Sequence, residues 1–117
     1  MREDNVVQVK SYAFAVRIVK VYQFLSEHQK EFVLSRQLLR CGTSIGANIE
    51  EAIGGQSGKD FFAKLTIAYK EARETHYWIR LLRDTGYLTS EQSESLLDDT
   101  TELLKIIGSI QKTIRNS

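Results

Sequence analysis

Residues 40–52, RCGTSIGANIEEA, and residues 67–82, IAYKEARETHYWIRLL, decide the fold of this chain. In and around each segment, core-type residues recur at alternating spacings of three and four positions, the pattern of one face of an α-helix. The first stripe comprises Leu34, Leu38, Cys41, Ile45, Asn48 and Ala52. The second comprises Phe61, Leu65, Ala68, Ala72, Thr75, Ile79 and Leu82. Two helices that pack against each other are therefore predicted.

Polar side chains lie beside both stripes. If the two helices run antiparallel around a loop near residues 54–59, facing positions add up to about 113. Arg40 then lies level with Glu71 and Glu74, and we predict a charge-assisted contact with one or both, completed by Gln37 or Asn48. The predicted structural polar network comprises Gln37, Arg40, Ser44, Asn48, Glu51, Glu71 and Glu74. An acid/base pair formed by Glu71 and Glu74 is the alternative, and the structural network is favoured over it.

Composition limits the class of protein. The chain has 117 residues, 42% of them apolar and 26% charged, as expected for one globular domain over residues 1–117. Sixteen basic and fifteen acidic residues leave a charge of +1, which argues against a strongly basic nucleic-acid-binding domain. The single Cys41 lies in a core stripe and is interpreted as a small buried hydrophobe, not a reactive thiol. No membrane span or signal peptide is recognised, so a cytoplasmic protein is expected.

Capping residues divide the chain into four helices, and proline is absent. The predicted limits are Asn5 (as N-cap) to Glu27, a start between residues 32 and 35 to Gly54, Ser57 (as N-cap) to about Asp84, and Thr89 onward. Gln92 stands at the capping-box position after Thr89, and Gly86 is a natural residue to follow the third helix. All four helices carry a seven-residue repeat and are joined by short links. The prediction is an all-α, up-down-up-down, antiparallel, left-handed four-helix bundle.

The first predicted helix has a second apolar stripe opposite its core stripe. This stripe comprises Val9, Tyr12, Val16 and Val19. A helix that is apolar on opposite faces cannot bury both inside one small bundle. The outer stripe therefore predicts a subunit interface. The alternative is a valine-rich face that is simply exposed.

Basic residues of the first and third helices are candidates for contact with RNA or a ribonucleoprotein. They are Lys10, Arg17, Lys20, Lys70, Arg73, Arg80 and Arg83. Clustering on one exposed surface would favour nucleic-acid binding. Scattering would favour a structural or protein-binding oligomer with no nucleic-acid contact.

Sequence motifs for catalysis and cofactor binding are not convincing. Residues 54–60, GGQSGKD, resemble a phosphate-binding loop only loosely, because the spacing is wrong and a helix precedes them. A di-iron bundle would need Glu-x-x-His on two helices, which this chain lacks. One cysteine and two histidines, with no serine paired to either histidine, give no support for nucleophilic catalysis. We expect no enzyme activity, cofactor, metal or small-molecule substrate.

The two opening segments resemble a known family, the intervening-sequence proteins. These are named for reading frames inserted in bacterial large-subunit ribosomal RNA genes and are sometimes labelled ribosomal-protein-like. The matching signatures are Gln-x-x-Arg…Ser-Ile-x-x-Asn-Ile-x-Glu and Ile-Ala-x-x-Glu-Ala-x-Glu-Thr-x-x-Trp. They fall on Gln37, Arg40, Ser44, Ile45, Asn48, Ile49, Glu51, Ile67, Ala68, Glu71, Ala72, Glu74, Thr75 and Trp78. The first and fourth helices also resemble the family, so the likeness covers nearly the whole chain.

The resemblance implies a homopentamer of four-helix bundles without enzyme activity. Relatives in diversity-generating retroelements are basic pentameric accessory proteins that bind a reverse transcriptase and nucleic acid. This chain differs from them in its near-neutral charge. The resulting hypothesis is a non-enzymatic oligomeric adaptor that engages RNA or a ribonucleoprotein. The alternative is a structural or protein-binding pentamer.

Overall fold

Four α-helices make up the fold. The computed structural model describes the backbone of residues 2–117 and the side chains of residues 6–117. The helices are α1 (Arg2–Glu27), α2 (Leu34–Ile53), α3 (Gly58–Asp84) and α4 (Ser90–Arg115), and no strand occurs within the described range. They pack into a body of 46 × 21 × 19 Å. The predicted all-α four-helix bundle is confirmed.

The order of packing follows the order of the chain. Each helix contacts the next one, and α1 also contacts α4, which closes the bundle. Across the α2–α3 seam, Arg40 contacts Glu74 while Glu51 contacts Lys64, so these helices run antiparallel. This is consistent with an up-down-up-down order. The left-handed supercoil stays a prediction.

The predicted stripes form the core. Its largest fully buried side chains include Phe14, Ile18, Leu38, Ile45, Leu65, Ile79, Leu96, Leu103 and Ile107. Cys41 is also fully buried. Burial raises the pKa of its thiol to about 11, so the thiol stays protonated at neutral pH. This agrees with its interpretation as a small hydrophobe.

The predicted helix ends are confirmed except for the start of α1. Ser57 accepts the backbone N–H of Asp60 at the start of α3, and Thr89 and Gln92 form a reciprocal capping box. Gly86 follows α3 with a φ of 85°, a conformation that glycine adopts without strain. Asn5 is not an N-cap, because α1 already begins at Arg2. Acidic residues at positions 3 and 4 favour a helix N-terminus, which accounts for the earlier start.

The start of α2 is stabilised by a carboxylate from the preceding loop. Glu31 is only 8% exposed. Its carboxylate accepts the backbone N–H groups of Val33 at 3.2 Å, Leu34 at 3.1 Å and Ser35 at 2.7 Å. Burial alone raises the pKa of Glu31, but these hydrogen bonds outweigh it and hold the pKa below its usual value. This contact of Glu31 with the start of α2 was not predicted from the sequence.

Two glycines bring α1 and α2 close together. A Cβ atom on Gly42 would lie 2.8 Å from Cγ1 of Ile18, and one on Gly46 would lie 3.2 Å from the backbone oxygen of Ser11. Both distances are shorter than ordinary van der Waals contact. This seam therefore depends on the absence of side chains at both positions.

Candidate functional site

The predicted polar contact between α2 and α3 is centred on Arg40. Its Nη1 lies 3.3 Å from Oε2 of Glu71, and its Nη2 contacts Oε2 of Glu74. The indole Nε1 of Trp78 donates to the same Glu74 oxygen at 2.9 Å. The side chains of Arg40, Glu74 and Glu71 are 51%, 36% and 18% exposed. The contact is therefore a bridge at the edge of the seam that is open to solvent on one side.

Other predicted members of the network do not reach these carboxylates. Asn48 donates to the backbone oxygen of Ser44 at 2.8 Å, and Ser44 donates to that of Arg40 at 2.6 Å. Both side chains are thus satisfied within α2, as short polar side chains in helices often are. Gln37 is exposed and forms no hydrogen bond among the side chains that the structure describes. Glu51 pairs separately with Lys64 at 2.9 Å.

Trp78 completes the polar network, a role that was predicted for Gln37 or Asn48. Trp78 follows Glu71 and Glu74 at spacings of three and four positions, which places it on the same side of α3, but its indole N–H was not predicted to take part. Because one guanidinium binds both carboxylates, the geometry favours a structural contact over an acid/base pair.

We expect Arg40→Met to lower the free energy of unfolding by about 1 kcal/mol. A fully buried pair would cost about 3–5 kcal/mol, but solvent screening at the half-exposed Arg40 reduces the loss. Urea denaturation measures the difference, which should shrink at high salt. The control is Arg36→Met, an exposed position on the same helix that should change stability by less than about 0.5 kcal/mol. Equal losses in both variants would contradict a specific role for Arg40.

The candidate nucleic-acid contacts of α1 face the acidic side of α4. Lys10 pairs with Glu102 at 3.2 Å, and Arg17 pairs with Asp99 at 2.6 Å. These contacts also show that α1 and α4 run antiparallel. Lys20 is exposed. Two of the three basic residues proposed on α1 are therefore neutralised within the molecule.

The candidates on α3 form a second group. Arg83 pairs with Asp84 at 2.8 Å, whereas Lys70, Arg73 and Arg80 have no carboxylate within ion-pair distance among the described side chains. Helices α1 and α3 are not neighbours in the bundle, since α3 packs beside α2 and α4 over the described residues. The seven basic candidates therefore do not form one continuous surface.

The outer apolar stripe of α1 faces away from the core. Val9 and Tyr12 are 69% and 68% exposed, and Val16 and Val19 are each 39% exposed. The structure thus places all four side chains where the sequence analysis expected them. The subunit contact that they predict stays a prediction.

The described residues contain neither a membrane-spanning helix nor a cluster of metal-binding side chains. None of the helices over residues 2–117 is long and apolar enough to cross a membrane. Within the described part of the chain, no three histidine, cysteine, aspartate or glutamate side chains are grouped closely enough to hold a metal ion.

Comparison with known proteins identifies similar chains. The model of a family described as 23S rRNA-intervening sequence protein matches residues 3–109. A crystal structure of a protein of unknown function from the S23 ribosomal protein family of Bacteroides thetaiotaomicron superposes with a TM-score of 0.93. That protein is 59% identical to this chain, and the match covers 94% of this chain and 98% of the other. No functionally curated protein shows significant sequence similarity.

Proposed function

The chain belongs to the 23S rRNA-intervening sequence protein family, and we propose that it is a non-enzymatic adaptor that assembles with copies of itself through the outer face of α1. The outer face is formed by Val9, Tyr12, Val16 and Val19. The number of copies, five, follows from the family resemblance. Partner proteins would then bind the assembled oligomer.

The exposed outer face of α1 is the observation that carries this proposal. Its four side chains follow one another at spacings of three, four and three positions, so they form a continuous stripe about 15 Å long. Val9 and Tyr12 expose more than two thirds of their surface. A continuous apolar stripe of this kind is typical of a surface that another protein covers. Burial of these side chains between copies would stabilise the oligomer through the hydrophobic effect.

The proposed assembly can be tested with Val16→Glu. A carboxylate buried at an apolar interface is costly, so this variant should sediment as a smaller species than the unmodified protein. Ile67→Glu is the matched control, because Ile67 is a similarly exposed aliphatic residue on α3. It should leave the sedimentation coefficient unchanged. An unchanged coefficient for Val16→Glu, or an equal decrease for Ile67→Glu, would count against assembly through α1.

Contact with RNA or a ribonucleoprotein is the second candidate. Lys70, Arg73 and Arg80 support it, because these α3 cations have no carboxylate partner within ion-pair distance among the described side chains. The intramolecular ion pairs of Lys10 and Arg17 favour the oligomer without nucleic acid. Binding of labelled RNA should be measured across a range of salt concentrations, since phosphate contacts weaken steeply as salt is added. Absence of binding at low salt would remove this candidate.

A further inference from the structure

A small groove between α3 and α4 contains several hydrogen-bond donors. Its volume is about 220 Å³, and it is lined by Arg73, His76 and Arg80 from α3 and by Thr101 and Leu104 from α4. Arg73 and Arg80 are seven positions apart, which places them about two turns apart on the same side of the helix. His76 lies between them. The groove is thus bordered by a guanidinium at each end.

Hydrogen bonding fixes the orientation of the histidine. Nε of Arg80 donates to Nδ1 of His76 at 3.1 Å, so Nδ1 is an acceptor and the imidazole proton lies on Nε2. Burial and the charges of Arg80, Arg83 and Arg73 lower the pKa of His76. The neutral histidine therefore presents an N–H donor beside the two guanidinium groups.

Negative charge close to this group of donors is scarce. Asp84 pairs with Arg83, and the charge of Arg80 also helps to lower the pKa of Asp84, so this carboxylate lies near both arginines. No carboxylate lies within ion-pair distance of Arg73 or Arg80 among residues 6–117. A groove with two guanidinium groups, neither of them in an ion pair with a described carboxylate, is suited to an external anion.

The hydroxyl of Thr101 is a further group available to a ligand. The neighbouring Thr100 donates to the backbone oxygen of Leu96 at 2.7 Å, as many helical threonines do. Thr101 makes no such bond among the described residues and lines the groove instead. Residues that carry guanidinium, imidazole and hydroxyl groups therefore line one groove.

We propose that the groove between Arg73, His76, Arg80 and Thr101 binds a phosphate group. Arginine side chains match the geometry of phosphate oxygens, and charge-assisted hydrogen bonds to them are short and strong. The Cα atoms of Arg73 and Arg80 are about 10 Å apart along α3. The two long, flexible side chains can therefore reach one phosphate group between them, either the free ion or a phosphomonoester.

The test is a titration of the intact protein with inorganic phosphate at constant pH and ionic strength, followed by proton NMR of the histidines. Saturable shifts are expected for His76 but not for His28, which is in the loop after α1 and serves as an internal reference. Arg73→Gln and Arg80→Gln should each weaken binding at least tenfold. Lys112→Gln, a change of an exposed cation on α4 about three turns from Thr101, should leave the affinity unchanged.

Two results would overturn the proposal. One is the absence of saturable shifts at His76, and the other is an equal loss of affinity in Lys112→Gln, which would indicate unspecific attraction. A parallel titration with glycerol phosphate distinguishes the source of the group. Tighter binding of the ester supports a phosphomonoester, and tighter binding of inorganic phosphate supports the free ion. These phosphate titrations do not depend on self-assembly through α1, so the phosphate site and the proposed assembly can fail independently.

Discussion

Replacing Gly42 with alanine is expected to lower the free energy of unfolding by about 1–3 kcal/mol. In an unobstructed helix the same change raises stability by up to about 1 kcal/mol, because glycine is a poor helix former. At Gly42 the new methyl group would lie 2.8 and 2.9 Å from Cγ1 and Cγ2 of Ile18. These atoms branch directly from the Cβ of Ile18, which is itself fully buried, so they cannot swing away freely. The clash therefore outweighs the gain in helix propensity.

The effect of Gly42→Ala on stability should change sign when Ile18 is replaced as well. Urea denaturation should show that Gly42→Ala destabilises the unmodified protein but stabilises an Ile18→Ala background, where the obstructing atoms are gone. Gly108→Ala on α4 is the control, since its nearest neighbour would be Tyr69 Cε2 at an ordinary 3.6 Å. That variant should be more stable by up to about 1 kcal/mol. A stabilising effect of Gly42→Ala in the unmodified protein would contradict this prediction, because it would mean that α1 and α2 can move apart enough to fit the methyl group without losing stability.

Local sequence signals predicted most of the architecture. The alternation of three and four positions identified the buried face of each helix, since it is a property of one helix at a time. Capping is equally local. Ser57 and Thr89 as N-caps, and Gln92 at the capping-box position, were predicted from local residues alone, and each contact spans three positions. The start of α1 was misplaced because Asn5 suits an N-cap, while helix formation can begin at any earlier favourable turn.

The close approach of α1 and α2 was not predicted. Gly42 and Gly46 lie beside the core stripe of α2, but their role appears only when Ile18 and Ser11 of α1 are brought against them. The hydrogen bond from Trp78 to Glu74 lies within α3 and spans four positions, but it depends on the rotamers of the two side chains. The spacing of residues encodes neither the separation of two helices nor the rotamer of a side chain.

The outer apolar stripe of α1 was predicted better than the basic surface, because the basic surface depends on contacts between helices. An outward apolar stripe follows from the periodicity of α1, and Val9 and Tyr12 are indeed highly exposed. The charge available to a ligand depends on partners across a seam. Lys10 and Arg17 have acidic partners more than eighty positions away on α4. Those pairings required the register of α1 against α4, which the heptads alone do not fix.

The loop carboxylate at the start of α2 leads to the second large expected effect. Glu31→Ala should lower the free energy of unfolding by about 1–3 kcal/mol at neutral pH. The change removes the acceptor for three backbone N–H groups, those of Val33, Leu34 and Ser35. It also removes a negative charge from a helix N-terminus, where the helix dipole favours one. Glu27→Ala is the matched control, because Glu27 is exposed and lies at the end of α1. It should change stability by less than about 0.5 kcal/mol.

The pH dependence of stability separates the contribution of the Glu31 charge from that of the size of its side chain. The pKa of Glu31 is lower in the folded protein than its usual value, so the folded state binds this proton more weakly than the unfolded state does. The stabilisation is therefore complete above the unfolded pKa of about 4.3 and is lost as the pH falls through the lower, folded pKa. Glu31→Gln keeps the size of the side chain but not its charge. The stability difference between the unmodified protein and Glu31→Gln, measured by urea denaturation, should be constant from pH 7 to about 5.5 and shrink steadily below about 4.3. A difference that stayed constant down to pH 3 would mean that the ionised carboxylate does not stabilise the start of α2.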